Sequence, residues 1–317
     1  MQTLPGTIAV VTPPKPFDPT SEDADVIIRS SDDVDFRVIR AFLAFSSPVF
    51  KAMFTLPQYE GTSSLDETRQ GLPIIAVTEN STILYHLLRY CYPIDGADEV
   101  EMKSLEEVSG VLETARKYSM AGVEWRARRA LVSSRFIDKE AVRVFALALY
   151  HGLEAEARVA AVKTLSVPTL GRPYIREFEY ITAGDFLRLN DYQEMCKLVA
   201  VRVAQGQEAL AKGSWVWLYC RGHCSSRTSP ATGALMAIWW LEYLEAAAKA
   251  LAQRPIGDTV ANYELLDKAL AKANACPACR DGAFRDLMEF TKVFAAAVDE
   301  ATSKVRVLFI AENWHSH

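Results

Sequence analysis

The sequence has no long uninterrupted apolar run, although 50% of its 317 residues are hydrophobic. A helix that crosses a bilayer needs about 20 consecutive, mainly apolar residues. The first 20 residues also lack the basic start and apolar core of a secretory signal. They contain five prolines instead: Pro5, Pro13, Pro14, Pro16 and Pro19. We therefore expect no membrane contact, an intracellular protein of cytoplasm or nucleus, and a flexible N-terminal arm over residues 1–20.

An excess of positive charge is missing as well. The chain has 35 Lys and Arg against 40 Asp and Glu, which gives a formal net charge of -5. Domains that bind nucleic acids usually carry a basic surface. The most basic stretch, Arg126 to Arg135, has the pattern of a solvated helix face. We expect no direct contact with nucleic acid.

Short catalytic motifs are also missing. The sequence contains no G-x-S-x-G nucleophile turn, no P-loop, no G-x-G-x-x-G dinucleotide motif and no H-E-x-x-H metal-protease motif. Its acidic pairs fall on predicted solvated helix faces and lack a fixed partner. We therefore expect a protein that is not an enzyme.

Two cysteine groups form the one chemical constellation that the sequence does contain. They are Cys220-Arg-Gly-His223-Cys224 and Cys276-Pro-Ala-Cys279. A C-x-x-C pair in a tight turn points two thiolates at one ion, and a second pair completes a tetrahedral site. That second pair is Cys220 with Cys224, or Cys220 with His223. Four protein ligands leave no open position, so the expected ion is a structural zinc.

Other interpretations of the cysteines stay open. The two groups could be unpaired thiols, or Cys276 and Cys279 could form a redox-active pair, although no thioredoxin-like βαβ pattern surrounds them. The remaining cysteines, Cys91 and Cys196, lie in apolar helical patterns and are expected to be small core residues.

The stretch Asp25 to Phe54 organises the N-terminal half, and it reads DVIIRSSDDVDFRVIRAFLAFSSPVFKAMF. A β-branched run, turn residues and an alternating run predict two paired strands. A short helix follows, with Phe42, Leu43 and Phe45 spaced along its face. Ser46 or Ser47 then caps a second short helix that carries its apolar residues inward.

This order of elements resembles the start of a BTB/POZ domain, and it is closest to the large fungal set of BTB-domain proteins. The matching positions are Asp25, Val26, Phe36, Arg40, Leu43, Ser47, Phe50, Met53 and Phe54. The chain departs from the family at Ile39, where a histidine is usual. A second similar stretch runs from Leu72 to Asp95. The resemblance implies an α+β BTB/POZ-like domain over residues 21–135.

The C-terminal half, residues 136–317, is predicted to be all-α. A helix pair around Gly152 is similar to the BACK-like extension of BTB proteins. Capping-box patterns at Ser104 and Thr182 start further helices, and Asn80 or Ser81 caps another. The alanine-rich runs 231–253 and 281–305 favour helix.

The resemblance implies a protein that acts through protein contacts, by self-association or by docking onto a partner. Asp25 and Arg40 stand where the family places a charged pair at the dimer interface, although both could simply be exposed ends of elements. Phe50, Phe54 and Leu56 are further contact candidates. Two alternatives remain: a substrate adaptor for a cullin-type ubiquitin-ligase scaffold, which here lacks a kelch-like substrate module, and a transcription-associated regulator.

Overall fold

The computed structural model describes residues 12–55, 68–93, 101–167, 174–206, 214–220, 224–228, 233 and 235–306. The chain divides into an N-terminal unit that ends at Lys139 and a C-terminal unit that begins at Glu140. Within the described ranges, no helix is long and apolar enough to cross a membrane.

A four-stranded sheet lies in the N-terminal unit. Its strands are β1 (Val26–Arg29), β2 (Asp35–Val38), β3 (Thr68–Arg69) and β4 (Leu72–Ala76), in the order β2-β1-β4-β3. Strand β1 pairs antiparallel with β2, where Ile28 faces Phe36, and parallel with β4, where Ile28 faces Ile75. The predicted strand pair is therefore confirmed.

Five helices among the described residues share the N-terminal unit with this sheet, and α6 leads out of the unit. They are α1 (Arg40–Ser46), α2 (Pro48–Thr55), α3 (Ser81–Cys91), α4 (Leu105–Lys117) and α5 (Ala121–Leu131), followed by α6 (Ser134–Tyr150). Non-helical dihedral angles at Glu140 interrupt α6. This break coincides with the division between the two units.

The first described residues pack onto the N-terminal unit. Phe17 is fully buried, and its ring lies 6.1 Å from that of Phe36 and 4.9 Å from that of Tyr92. The Arg37 N–H donates to the Phe17 carbonyl at 3.1 Å. The packed part of the chain thus begins before residue 21, because one aromatic side chain anchors a proline-rich segment. Residues 1–11 of the expected arm lie outside the described residues.

Local capping chemistry sets the starts of several helices. The Asn80 side chain accepts the Ile83 N–H at the start of α3, and Thr182 with Asp185 forms a complete capping box. At Ser104 only half of the expected box is present: its hydroxyl accepts the Glu107 N–H. The Glu107 carboxylate instead accepts the Lys103 N–H and contacts His86, because the buried histidine competes for it.

Ser47 links two parts of the N-terminal unit and allows a test of its packing. The fully buried hydroxyl accepts the Phe50 N–H at 3.1 Å and donates to the Tyr118 carbonyl at 2.6 Å. We expect Ser47→Ala to lower the free energy of unfolding of this unit by about 2 kcal/mol, because a cap is lost and a buried carbonyl loses its donor. Urea unfolding followed by hydrogen exchange in α2 measures the change.

The neighbouring Ser46→Ala variant is the matched control, and we expect a change of about 0.5 kcal/mol or less. Equal losses from the two variants would contradict the assignment of Ser47 as the cap.

Among its described residues, the C-terminal unit is helical apart from one short hairpin. After α6 come α7 (Glu154–Thr164), a 3-10 helix (Arg176–Tyr180), α8 (Ala183–Gln205), α9 (Val216–Tyr219), β5 (Ser226–Thr228), β6 (Leu235–Ala237), α10 (Ile238–Leu251), a second 3-10 helix (Gly257–Ala261), α11 (Tyr263–Asn274) and α12 (Arg280–Ser303). Gly152 makes the predicted turn between α6 and α7 with a φ of 64°. The helix expected from residue 231 begins only at Ile238, because residues 235–237 pair with β5.

Aromatic side chains fill the core of this unit. Trp217 stacks on Trp215 at 5.2 Å and on Trp240 at 5.4 Å, and the Phe290 ring meets Trp217 edge-on at 5.3 Å. Trp217, Trp240 and Phe290 are buried. These aromatic side chains therefore belong to the core of the unit.

Candidate interaction surface and candidate metal centre

An apolar surface runs along the two short helices after the first hairpin. Phe45, in the last turn of α1, is 93% exposed, and Val49 and Met53 on α2 are each 36% exposed. Val49 and Met53 are four residues apart and so share one helix face. We call Phe45, Val49 and Met53 the α1–α2 patch. Val49 and Met53 were predicted to point inward, but helices of seven and eight residues are too short for periodicity to define one face.

The contact candidates around this patch differ in exposure. Phe50 is fully buried, stacked 4.5 Å from Tyr118 and 5.9 Å from Phe54, so it is a core residue of the unit. Phe54 is half-buried. Leu56 lies outside the described residues.

Asp25 and Arg40 contact each other, but each hydrogen bond joins the side chain of one residue to a backbone group of the other. The Arg40 N–H donates to the Asp25 carboxylate at 2.7 Å, and the Arg40 guanidinium donates to the Asp25 carbonyl at 3.1 Å. Asp25 is exposed and Arg40 is half-buried, with its guanidinium carbon 5.8 Å from the centre of the Phe54 ring. Asp25 thus caps α1, and Arg40 connects this end of the helix to α2.

A buried histidine lies between α3 and α4. His86 is 5% exposed, and its Nε2 lies 3.2 Å from a carboxylate oxygen of Glu107. Burial lowers the pKa of His86 below its usual 6.5, and the attraction of Glu107 offsets only part of this effect. The folded protein therefore favours the neutral imidazole.

This histidine makes the stability of the N-terminal unit depend on pH. Because the folded-state pKa lies below the unfolded value, the stabilisation is complete above about pH 6.5 and is lost as the pH falls through that value towards the folded pKa. We expect His86→Gln to flatten the loss of stability between pH 7 and pH 5, measured by hydrogen exchange of α3 and α4. The carboxyls of Asp35 and Glu79, whose pKa values are lowered, contribute only in more acidic solution. An unchanged slope in His86→Gln would contradict the assignment.

Four cysteines from two distant parts of the C-terminal unit converge. Cys220 follows α9, Cys224 precedes β5, and Cys276 and Cys279 lie in the turn between α11 and α12. Their sulfur atoms all lie within 4.8 Å of one another. The Cys220 sulfur is 3.2 Å from that of Cys224 and 3.4 Å from that of Cys276, and the Cys224 sulfur is 4.0 Å from that of Cys279. This cysteine cluster could hold a metal ion.

The turn from Cys276 to Cys279 is built to stabilise a thiolate. The N–H groups of Cys279 and Arg280 donate to the Cys276 carbonyl at 3.2 and 3.1 Å, which closes the turn. Burial raises the pKa of Cys276, but hydrogen bonds from Cys220 and from the backbone N–H groups of Ala278 and Cys279 outweigh it and lower that pKa to about 7.

Two other thiols of the cluster, those of Cys224 and Cys279, resist ionisation while no cation is present. Burial, together with the neighbouring sulfurs, raises the pKa of Cys224 far above its usual range and that of Cys279 to about 12. Four thiolates within 4.8 Å would repel one another strongly. A bound cation removes this penalty, so the donor set fits a metal ion that prefers sulfur.

The structure separates the cluster from the chain's other cysteines. Cys91 and Cys196 lie elsewhere, and burial raises the pKa of each to about 11, as expected for inert thiols. His223, the alternative ligand, lies outside the described residues, and Cys224 joins the cluster. The cysteine pairs 220/224 and 276/279 are far apart in the sequence. Packing of α10 against α11 and of α11 against α12 brings them together.

Comparison with known families agrees with the fold of the N-terminal unit. Residues 17–135 match the family model of the BTB/POZ domain. The N-terminal unit is a BTB/POZ domain. No curated protein matches the sequence. The matched range begins at the buried Phe17 and ends just after α6 begins, so this BTB/POZ domain includes residues expected in the N-terminal arm. BTB/POZ domains are protein–protein interaction modules, and the α1–α2 patch lies on this one.

Proposed function

We propose that the chain is a non-enzymatic interaction protein whose BTB/POZ domain self-associates through the α1–α2 patch. The exposure of the Phe45 side chain is the main observation that supports this proposal. A phenylalanine that is 93% exposed leaves nearly its whole ring in water, and burying such a side chain contributes about 2 kcal/mol. Apolar residues that are clustered and exposed mark contact sites.

A second copy of the chain is the partner that this patch fits best. In a two-fold symmetric dimer the same surface of each copy faces the other, so an apolar patch meets an equally apolar patch. The patch has no charged residue among its members Phe45, Val49 and Met53. Asp25, Arg40 and Phe54 border it in the proposed dimer, and Leu56 follows them in the chain.

Native mass spectrometry and light scattering on the intact chain, purified without chelator, test the proposal. We expect a dimer at micromolar concentration. A monomer at every concentration would overturn self-association. It would favour docking onto a different protein, and capture of a cullin-type scaffold that is lost in Phe54→Glu would then assign the adaptor role.

We further propose that Cys220, Cys224, Cys276 and Cys279 hold a structural zinc ion. Zinc–sulfur bonds of about 2.3 Å in a tetrahedron place the sulfurs about 3.8 Å apart. The measured separations of 3.2, 3.4 and 4.0 Å bracket that value. Four thiolates leave no position for a reacting water, so this ion would join two chain segments and would not perform catalysis.

A further inference from the structure

The four cluster cysteines differ in their access to solvent. Cys220, Cys276 and Cys279 are 7%, 3% and 0% exposed, whereas Cys224 is half-buried. A dissolved oxidant therefore reaches the Cys224 sulfur before the others. The difference follows from position: Cys224 leads into the surface hairpin, and the other three belong to the aromatic core.

The cluster cysteines differ also in how their sulfurs are stabilised. Backbone N–H groups of Ala278 and Cys279 stabilise the charged form of the Cys276 sulfur and help to lower its pKa. Such hydrogen bonds withdraw electron density and make a thiolate less nucleophilic. Among the described residues, the Cys224 sulfur contacts the sulfurs of Cys220 and Cys279. Cys224 is therefore the most accessible of the four cysteines, and its sulfur is less shielded than that of Cys276.

Cys220 is positioned to form a disulfide with Cys224. The Cys220 sulfur lies 3.2 Å from the Cys224 sulfur, closer than it lies to the Cys276 sulfur at 3.4 Å. A disulfide bond needs about 2.05 Å, so an approach of little more than 1 Å joins the two. We propose that the cluster is a peroxide-sensitive zinc site in which oxidation joins Cys220 to Cys224 and releases the ion. This inference rests on the zinc proposed above.

The chemistry balances with hydrogen peroxide as the oxidant. The Cys224 thiolate attacks one peroxide oxygen: an S–O bond forms, the O–O bond breaks, and hydroxide leaves. The Cys220 thiolate then attacks the Cys224 sulfur: the S–S bond forms, the S–O bond breaks, and a second hydroxide leaves. Two thiolates lose two electrons in total, and one peroxide is reduced to two hydroxide ions, which become water at neutral pH.

Loss of these two ligands leaves the Cys276–Cys279 turn alone. Two thiolates in one turn hold zinc much more weakly than four, so the ion dissociates. The hairpin segment then loses its metal link to the turn between α11 and α12. A thiol reductant reverses the disulfide, and zinc rebinds.

The test uses the full chain carrying zinc, with its metal content established by native mass spectrometry. We add hydrogen peroxide in equimolar steps, follow zinc release with a chromogenic chelator, trap sulfenic acid with dimedone and map disulfides by peptide mass spectrometry. The expected result is one zinc released per Cys220–Cys224 disulfide, with the dimedone adduct on Cys224. Cys196 in the same unit stays a thiol and serves as the internal control.

A Cys224→Ser variant that retains zinc should release it at least ten-fold more slowly. If that variant does not retain zinc, the dimedone adducts and disulfides mapped in the natural chain show whether Cys224 is oxidised first and joins Cys220. Zinc retained under excess peroxide, a first adduct on Cys276 or Cys279, or a Cys276–Cys279 disulfide would each overturn the inference while leaving structural zinc in place. A chain that cannot bind zinc before any peroxide is added refutes the zinc proposal itself, and the inference with it.

Discussion

We expect Phe45→Glu to convert the proposed dimer of this protein into a monomer. The side chain is 93% exposed within one chain, so the substitution leaves the fold intact. In a two-fold interface each substitution occurs twice, and each places a carboxylate in an apolar contact. We expect the dimer dissociation constant to rise by roughly 100-fold or more, as for a central interface residue. Sedimentation equilibrium over a range of concentrations measures it.

Trp125→Glu is the matched control for this substitution. Trp125 is another large exposed side chain, at 56%, but it lies on α5, where the Arg129 guanidinium covers its ring at 4.8 Å. We expect this variant to dimerise like the natural chain and both variants to keep its melting temperature. Equal weakening by both substitutions would place the interface elsewhere, and an unaffected dimer in Phe45→Glu would remove the α1–α2 patch from it.

We expect Cys276→Ser to abolish binding of the proposed zinc ion and to destabilise the C-terminal unit. The ion would join two chain segments, and removing a comparable covalent link costs about 2–5 kcal/mol. The free energy of zinc binding in small domains is larger than this. We therefore expect the free energy of unfolding to fall by roughly 4 kcal/mol or more. Hydrogen exchange in α10 and α12 should rise, and the fluorescence of the stacked Trp217 and Trp240 should change. Exchange in the BTB/POZ domain should stay the same.

Cys196→Ser is the control for the loss of a buried thiol from the same unit. Cys196 is fully buried and lies outside the cysteine cluster, so its replacement should cost far less and leave the zinc content unchanged. Strong chelation of the natural chain should reproduce the Cys276→Ser result. Full stability after zinc removal would show that the aromatic core alone holds the unit together.

Elements with local causes could be predicted from the sequence. The strands β1 and β2, the caps at Asn80 and Thr182, and the turn at Gly152 depend on residues within a few positions of one another. The resemblance to BTB/POZ domains rested on the same local patterns and is confirmed over residues 17–135. The sequence was sufficient to predict an element wherever the residues that stabilise it lie within a few positions of one another.

Features that depend on distant contacts were missed or left open. Strand β6 lies in an alanine-rich stretch that favours helix by itself, but it is extended because it pairs with β5, which precedes that stretch. Phe17 lies in a proline-rich segment, and its burial depends on Phe36 and Tyr92. Cysteine spacing indicated the metal ligands, but the choice of Cys224 required the packing that brings residues 220 and 276 together.

The most direct test of self-association is hydrogen exchange of the intact chain above and below its dimer dissociation constant. We expect the protection of α1 and α2 from hydrogen exchange to rise with protein concentration, while protection of the other helices of the BTB/POZ domain stays unchanged. Protection that does not depend on concentration, or that rises on another face, would contradict an interface at Phe45, Val49 and Met53.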